Sequence, residues 1–403
     1  MRFFSTLLPL LTTLAAVVAA APDGTLSFTD GSKMTFKYKT STANDKNWIG
    51  IYHTTGGPDD EKQVDPSLRW AYAPKADGSI ELDVPVRASG QYKAYFLADD
   101  GYKHLAKPIT FTPKSGNQDK PNEVQIMSYN LWYGGSKVND YHNKQVKFIA
   151  DSGADIIGLQ EASQGAAKRL GEALGWNYHH PDPEDTSAIL SRHPIVKRHP
   201  KPMTRATGVT IHVNGTSDQA INFFSTHTTA YPYGPYEFCF EGKDNAAVLE
   251  TEKTRADEIS SVLSATSPLR SAADKSPFVL VGDFNAPSHL DYTPATSSSH
   301  CGAVFTWPTS KLCTDAGLVD SFREAHPDPA ATPGNTWSPV EKHNEDEGKD
   351  EPQDRIDFVY HKGGLKVLRS ETLVKGTPRP APDYEDNEWT SDHAALMTWY
   401  VFN

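Results

Sequence analysis

A change of texture at residues 113–121 constrains this chain more than any other feature. Ahead of it, apolar residues recur at every second position in short runs: Leu26-Ser27-Phe28, Met34-Thr35-Phe36-Lys37-Tyr38, Trp48-Ile49-Gly50-Ile51-Tyr52, residues 80–84 and Tyr92-Lys93-Ala94-Tyr95-Phe96-Leu97. Period two with turns between the runs predicts strands. Behind it, residues 143–152, 163–174 (capped by Gly175) and 250–263 carry helical spacing, and residues 156–160 and 278–281 are continuous apolar strands. Alternation of that kind predicts sheets covered by helices. The stretch between is Lys, Ser, Gly, Asn, Gln, Asp and Pro without periodicity, a linker. With 403 residues the chain is long enough for two domains. We therefore expect a small antiparallel, immunoglobulin-like β-sandwich over 21–112, with Trp48, Trp70 and Tyr92 in its core, a linker over 113–121 and a larger α+β domain over 122–403.

The first twenty residues read as an address. Met1-Arg2 is a short positive start, residues 3–18 are nearly all apolar or small, and Val18-Ala19-Ala20 suits cleavage before Ala21. A membrane anchor is the alternative, but the run contains Pro9, barely reaches the roughly 18 residues a span needs and lacks a basic stop-transfer segment. A signal peptide over 1–20 and a secreted, extracellular, monomeric product are expected. Asn214-Gly215-Thr216 is then a glycosylation acceptor. Of the three cysteines, Cys239 and Cys301 lie in polar, turn-rich stretches and Cys313 in a short helix. A Cys239–Cys301 bridge with Cys313 buried and free is expected, with Cys301–Cys313 as the alternative. The net charge of -12 disfavours a nucleic-acid binder that relies on a basic surface.

Polar residues sit where the buried strands end. The run 124–129 leads into Asn130, 156–160 into Glu161, 221–226 into His227, and 278–282 into Asp283 and Asn285. Near the C-terminus Asp357 lies within the apolar run 355–360, and Asp392-His393 precedes the run 394–401. Any one of these is an ordinary turn former. Together they describe carboxylates and imidazoles lifted to a sheet edge on rigid strands, which is how a precise site is built. Carboxylate and amide oxygens with two histidines suit Mg²⁺ or Mn²⁺. There is no His-Glu-x-x-His pair, no paired-cysteine motif, no Gly-rich nucleotide loop and no Gly-x-Ser-x-Gly elbow. The chemistry expected is a metal and a water, without a protein nucleophile.

Ser128-Tyr129-Asn130-Leu131-Trp132, Leu159-Gln160-Glu161, Ser225-Thr226-His227, Val281-Gly282-Asp283-Phe284-Asn285, Arg355-Ile356-Asp357-Phe358 and Ser391-Asp392-His393 resemble, in order, the motifs of the endonuclease/exonuclease/phosphatase superfamily. That superfamily includes deoxyribonuclease-like nucleases, abasic endonucleases, inositol polyphosphate 5-phosphatases and bacterial-type sphingomyelinases. The resemblance spans residues 123–403 and implies a four-layer α/β sandwich, two mixed sheets flanked by helices. It implies Glu161 as main metal ligand with Asn130 and Asp392 beside it, and Asp283 to position or deprotonate the attacking water. Asn285 would hold a phosphate oxygen, His227 would steady the phosphoryl oxygens or the leaving group, and His393 would bind the phosphate. Asp354 or Asp357 would orient His393, and the Arg-hydrophobic-Asp reading favours Asp357. Within 21–112 the aromatics of Trp48–Tyr52, Trp70–Pro74 and Tyr95–Leu97 with Pro108–Phe111 resemble a SKICH-type domain, which accompanies some inositol-phosphate phosphatases.

Two acidic stretches flank these motifs, 341–354 and 383–388, and count against duplex DNA and polyphosphorylated inositols. Tyr231, Tyr233, Tyr236 and Phe238 crowd the loop after His227, and with Trp132 and Tyr133 could form a platform for a base, sugar or headgroup. The expectation is an exported, Mg²⁺- or Mn²⁺-dependent phosphoesterase acting on a small or lipid-linked phosphoester. The alternatives are an extracellular nuclease and an inactive secreted binding protein.

Overall fold

The structure is a computed structural model. It describes residues 22–30, 33–53, 57–64, 67, 69–82, 92–113, 122–182, 185–200 and 205–403. The expected signal peptide, nearly all of the expected linker and the end of the run 80–84 lie outside the described residues.

The N-terminal strands form two antiparallel sheets. Thr25–Thr29, Met34–Lys39 and Asp77–Leu82 make a three-stranded sheet, and Arg69–Tyr72, Trp48–His53, Tyr92–Leu97 and Ile109–Phe111 a four-stranded one. Their alternating apolar residues, among them Met34, Phe36, Ile49, Ile51, Ala94 and Phe96, meet in one core. Tyr92 is buried there, whereas Trp48, contrary to expectation, is half-buried on the opposite face of its sheet against Tyr52, Tyr95 and Leu97. Trp70 departs from expectation. It lies on the edge strand Arg69–Tyr72 and is 53% exposed, because its pairing with Gly50 turns it to the face away from the core, where Ala71 packs instead.

The larger part is a four-layer α/β sandwich. Its first sheet runs Asn177–His179, Ala188–Ser191, Ile156–Gln160, Glu123–Asn130, Ala395–Phe402, Leu365–Leu373. The second runs Ile195–Arg198, Ala206–His212, Ala220–His227, Phe278–Asp283, Asp357–Lys362, Val319–Asp320. Each sheet holds one parallel pair, Glu123–Asn130 with Ile156–Gln160 and Ala220–His227 with Phe278–Asp283, and antiparallel pairs elsewhere. Strands buried on both faces explain the continuous apolar runs. Val124, Ile126 and Ile156 of one sheet pack against Phe223, Val279, Val281 and Val359 of the other. Outside, helices Tyr141–Ser152 and Ala166–Leu174 cover the first sheet, and Lys253–Ser271 and Pro308–Asp315 the second.

The helix expected over 250–263 is two elements, Asn245–Thr251 and Lys253–Ser271. The second extends through Pro268 because Ile259, Val262, Leu263 and Thr266 are buried against the sheet, and that burial outweighs the proline's lost hydrogen bond. Cys239 and Cys301 are joined in a disulfide, and Cys313 is free and buried. No helix among the described residues is long and apolar enough to cross a membrane.

The sheets meet closely at one point. A Cβ on Gly158 would stand 2.2 Å from Val281 Cγ2 and 3.0 Å from Ser225 Oγ of the facing sheet, so only glycine allows this approach. Beside it Gln160 Nε2 donates to Ser225 Oγ across the gap at 3.0 Å, and Ser225 Oγ donates to the Leu159 carbonyl at 3.1 Å. Two of the residues that flank the functional positions in the sequence therefore clamp the sheets together.

Candidate active site

Strand register gathers the candidate residues. His227 is directly paired with Asp283, and Asp283 with Asp357, so three of them form one row across the second sheet. Asn130 pairs with Gln160 in the first sheet, one residue before Glu161. His393 sits just ahead of the strand Ala395–Phe402 in that sheet. Both rows lie at the same end of the sandwich, and side chains join them.

Asn130 Nδ2 reaches across to Asp283 Oδ2 at 2.9 Å and to Glu161 Oε1 at 3.4 Å, while its Oδ1 accepts from the Trp132 N–H at 2.9 Å. Asp283 Oδ1 accepts from the Asn285 N–H at 2.8 Å. His227 Nε2 and His393 Nε2 approach Asp283 Oδ2 at 3.6 and 3.7 Å, one from either side. His393 Nδ1 is 2.8 Å from Asp357 Oδ2, and the carboxylate makes that nitrogen the N–H. Between the two acids that sequence left open, the geometry is unequal. Asp354 accepts from Tyr292 and Tyr233 hydroxyls at 2.9 and 3.2 Å, away from His393.

Loop conformation completes the floor. Trp132, Tyr133, Glu161 and Asn285 all hold left-handed backbone, which costs a non-glycine residue energy. The surroundings enforce it for Glu161: its carboxylate accepts from the Tyr133 N–H at 2.6 Å, and its carbonyl accepts from the N–H groups of Gly134 and Ser163. Gly282 is required next to Asp283, because a Cβ there would lie 2.1 Å from the Thr226 carbonyl oxygen.

Glu161, His227, Asp283, Asn285, Asp392 and His393 line a cavity of about 520 Å³. Asn130 and Asp357 are fully buried beneath it and act through their neighbours. Sequence reasoning missed Trp337, whose ring meets His393 edge-on at 5.1 Å, and Thr336, whose hydroxyl accepts from the Ile356 and Asp357 N–H groups. A tryptophan stranded among turn-forming residues was the available signal. Arg355, part of a motif singled out for Asp357, is structural. It forms buried ion pairs with Asp291 and Asp320.

Burial alone would lower the pKa of His393, but the Asp357 and Asp283 carboxylates prevail and raise it well above the usual range. Burial pushes the Asp392 carboxyl up to about 8, with the His393 charge opposing and the Glu161 charge adding. Asp392 Oδ1 has no hydrogen-bond partner. Two neighbouring carboxylates, one with an orphaned oxygen, fit a hard divalent cation. Asp283, Asp357 and His393 also lie within 4.8 Å of one another, but their facing atoms are engaged with each other.

The model of the endonuclease/exonuclease/phosphatase family matches residues 127–393. The chain belongs to that family. An uncharacterized protein of Caenorhabditis elegans is 31% identical over 302 residues, 70% of this chain and 92% of that one. Solved structures similar to the chain include a truncated TDP2 of Caenorhabditis elegans, with 16% identity, TM-score 0.44, and 69% of this chain and 98% of that one covered. A Bacteroides thetaiotaomicron endonuclease/exonuclease/phosphatase family protein has 18% identity, TM-score 0.48, and coverage of 70% and 99%. The human Nocturnin catalytic domain with bound sulfate has 16% identity, TM-score 0.47, and coverage of 70% and 95%. Endonuclease/exonuclease/phosphatase proteins hydrolyse phosphoester bonds with divalent metal ions. Membership supports phosphoester hydrolysis by this chain.

Proposed function

We propose that the protein is a secreted, Mg²⁺- or Mn²⁺-dependent phosphoesterase that hydrolyses a phosphate ester by in-line attack of water. The observation that carries this reading is the placement of Asp283 between the Nε2 atoms of His227 and His393, at 3.6 and 3.7 Å, on the floor of one cavity. Asp283 is held by Asn130 and the Asn285 backbone, so its carboxylate is aimed before substrate arrives. It takes the proton of the attacking water as the water oxygen bonds to phosphorus. The phosphorus–oxygen bond to the leaving alcohol breaks, and the alcohol takes a proton from an imidazole. The His393 imidazolium meets the negative charge that accumulates on the phosphoryl oxygens, with Asp357 holding the ring in place. Asn285, at the cavity wall, orients a phosphoryl oxygen.

Glu161 and Asp392 would hold the cation, with Asn130 fixing Glu161 from below. When bound, it supplies Lewis-acid neutralisation of developing charge. Secretion rests on the sequence of residues 1–20, and Asn214, which is exposed, is the proposed glycan acceptor.

The test uses the secreted, purified chain and bis(p-nitrophenyl) phosphate with Mg²⁺. Hydrolysis is expected to vanish with EDTA and in Glu161→Ala and His393→Ala. Wild-type rates in both variants, or indifference to chelator, would defeat the assignment. N-terminal sequencing of the secreted product is expected to begin near Ala21.

A further inference from the structure

We propose that the substrate carries a single phosphate and an organic ammonium group, and that the ammonium lodges in a second cavity beside the reaction cavity. This rests on the phosphoesterase reading and names its substrate class. The second cavity has a volume of about 420 Å³ and shares Tyr231, Tyr236 and Trp337 with the first. Those three aromatics are thus a common wall: a molecule with its phosphorus over Asp283 extends past them into the second space.

Charge decides what that space accepts. Glu341, Glu345, Asp346 and Glu351 line it, and among the described residues neither cavity is lined by a lysine or arginine. A substrate with several phosphates would place its extra negative charge against those four carboxylates, with His343, 3.9 Å from Asp350, as the one basic side chain among the described residues of that wall. A cation meets the opposite: carboxylates of the favourable sign and aromatic faces whose quadrupole attracts it. Carboxylates in a loop would by themselves be a solvated surface. Here the wall is constructed. Glu351 is only 5% exposed and accepts from Tyr236 Oη at 2.5 Å, Trp337 Nε1 at 2.7 Å and Asn344 Nδ2 at 3.0 Å. One buried carboxylate therefore holds two rings in fixed orientations, and Tyr231, 69% exposed, stands free at the mouth. An aromatic and acidic wall of this kind offers a weakly hydrated ammonium both charge pairing and contact with ring faces.

The test compares p-nitrophenyl phosphorylcholine with the isostere that lacks the cationic charge, p-nitrophenyl 3,3-dimethylbutyl phosphate, which differs only in carbon for nitrogen. The expected kcat/KM ratio is about tenfold in favour of the cation, carried by KM. In Tyr231→Ala and Glu341→Gln the ratio is expected to fall toward one, a readout that general loss of activity does not move. Equal or faster hydrolysis of the dimethylbutyl ester by the wild type overturns the site. Choline and 3,3-dimethylbutan-1-ol are also titrated against tryptophan fluorescence, without turnover. If neither ester is hydrolysed yet choline alone binds, the phosphoesterase reading fails and the ammonium site stands. If choline does not bind in preference to the alcohol, the site fails whatever the enzyme hydrolyses. Phosphatidylcholine vesicles and soluble glycerophosphocholine separate the sources: faster turnover of either assigns a lipid or a solute, and each supports the site.

Discussion

His393 and Asp357 come from different sheets, and the 2.8 Å contact between Nδ1 and Oδ2 crosses the gap between them. The acid is fully buried and does not line the reaction cavity, so whatever it does for catalysis it does through the ring.

Asp357→Asn is therefore expected to lower kcat by roughly 10² to 10⁴-fold, the range seen when a buried acid that orients a catalytic histidine is neutralised. Asp357 also helps to hold the His393 proton against burial, so its loss lowers the ring pKa. The alkaline limb of the kcat profile should move to lower pH in the variant. A limb that stays in place would show that His393 is not the titrating acid.

Cation binding should release a proton. Asp392, pushed up to about 8 by burial, must ionise to serve as a ligand. Affinity for Mg²⁺ is expected to rise by up to about tenfold per pH unit between roughly pH 6 and 8 and then to level off. Asp392→Asn should bind more weakly and without that slope. Calorimetry at pH 6.5 and 8 in buffers of different ionisation enthalpy reads both quantities.

Asp354 makes a different prediction about pH. Burial pushes its carboxyl up to about 7, although the Tyr292 and Tyr233 hydroxyls oppose the rise. The folded protein keeps this proton until about pH 7, whereas the unfolded chain gives it up near 4. Between those values the folded state binds more protons, so this group's contribution to stability declines as pH rises. Asp354→Asn, which keeps an acceptor for the hydroxyls, should remove that decline, worth on the order of a few kcal/mol. Urea unfolding of both proteins at pH 5 and 8 in EDTA checks it: the variant should gain on the wild type at the higher pH.

Gly158→Ala tests the sheet contact. The new methyl would stand 2.2 Å from Val281 Cγ2 in a fully buried layer, and neither sheet has room to retreat. A loss of roughly 1–3 kcal/mol is expected, seen as a lower Tm. Because Ser225 and Gln160 sit at the same contact, activity should fall as well, through the spacing of Asn130 from Asp283. An unchanged Tm would mean the sheets are farther apart than described.

Much of this was legible in the chain. Each buried strand is announced by its apolar run, and the polar residue that ends it must lie at a sheet edge, because side-chain placement along a strand is local geometry. That is why Asn130, Glu161, His227 and Asp283 could be singled out, and why membership in the family follows from six short motifs. Tertiary structure decided what pairs with what. The Arg-hydrophobic-Asp pattern favours Asp357 over Asp354, but what each acid meets is tertiary: Asp354 accepts from two tyrosines, and Asp357, where a strand begins, meets His393. The same holds for Trp70, turned to the outer face by its pairing with Gly50, and for Trp337, brought against His393 by a loop with no periodicity to read. Residue type and period fix which groups reach the edge of a sheet. Which groups meet there depends on how two sheets pack, a relation between segments hundreds of residues apart that no local pattern encodes.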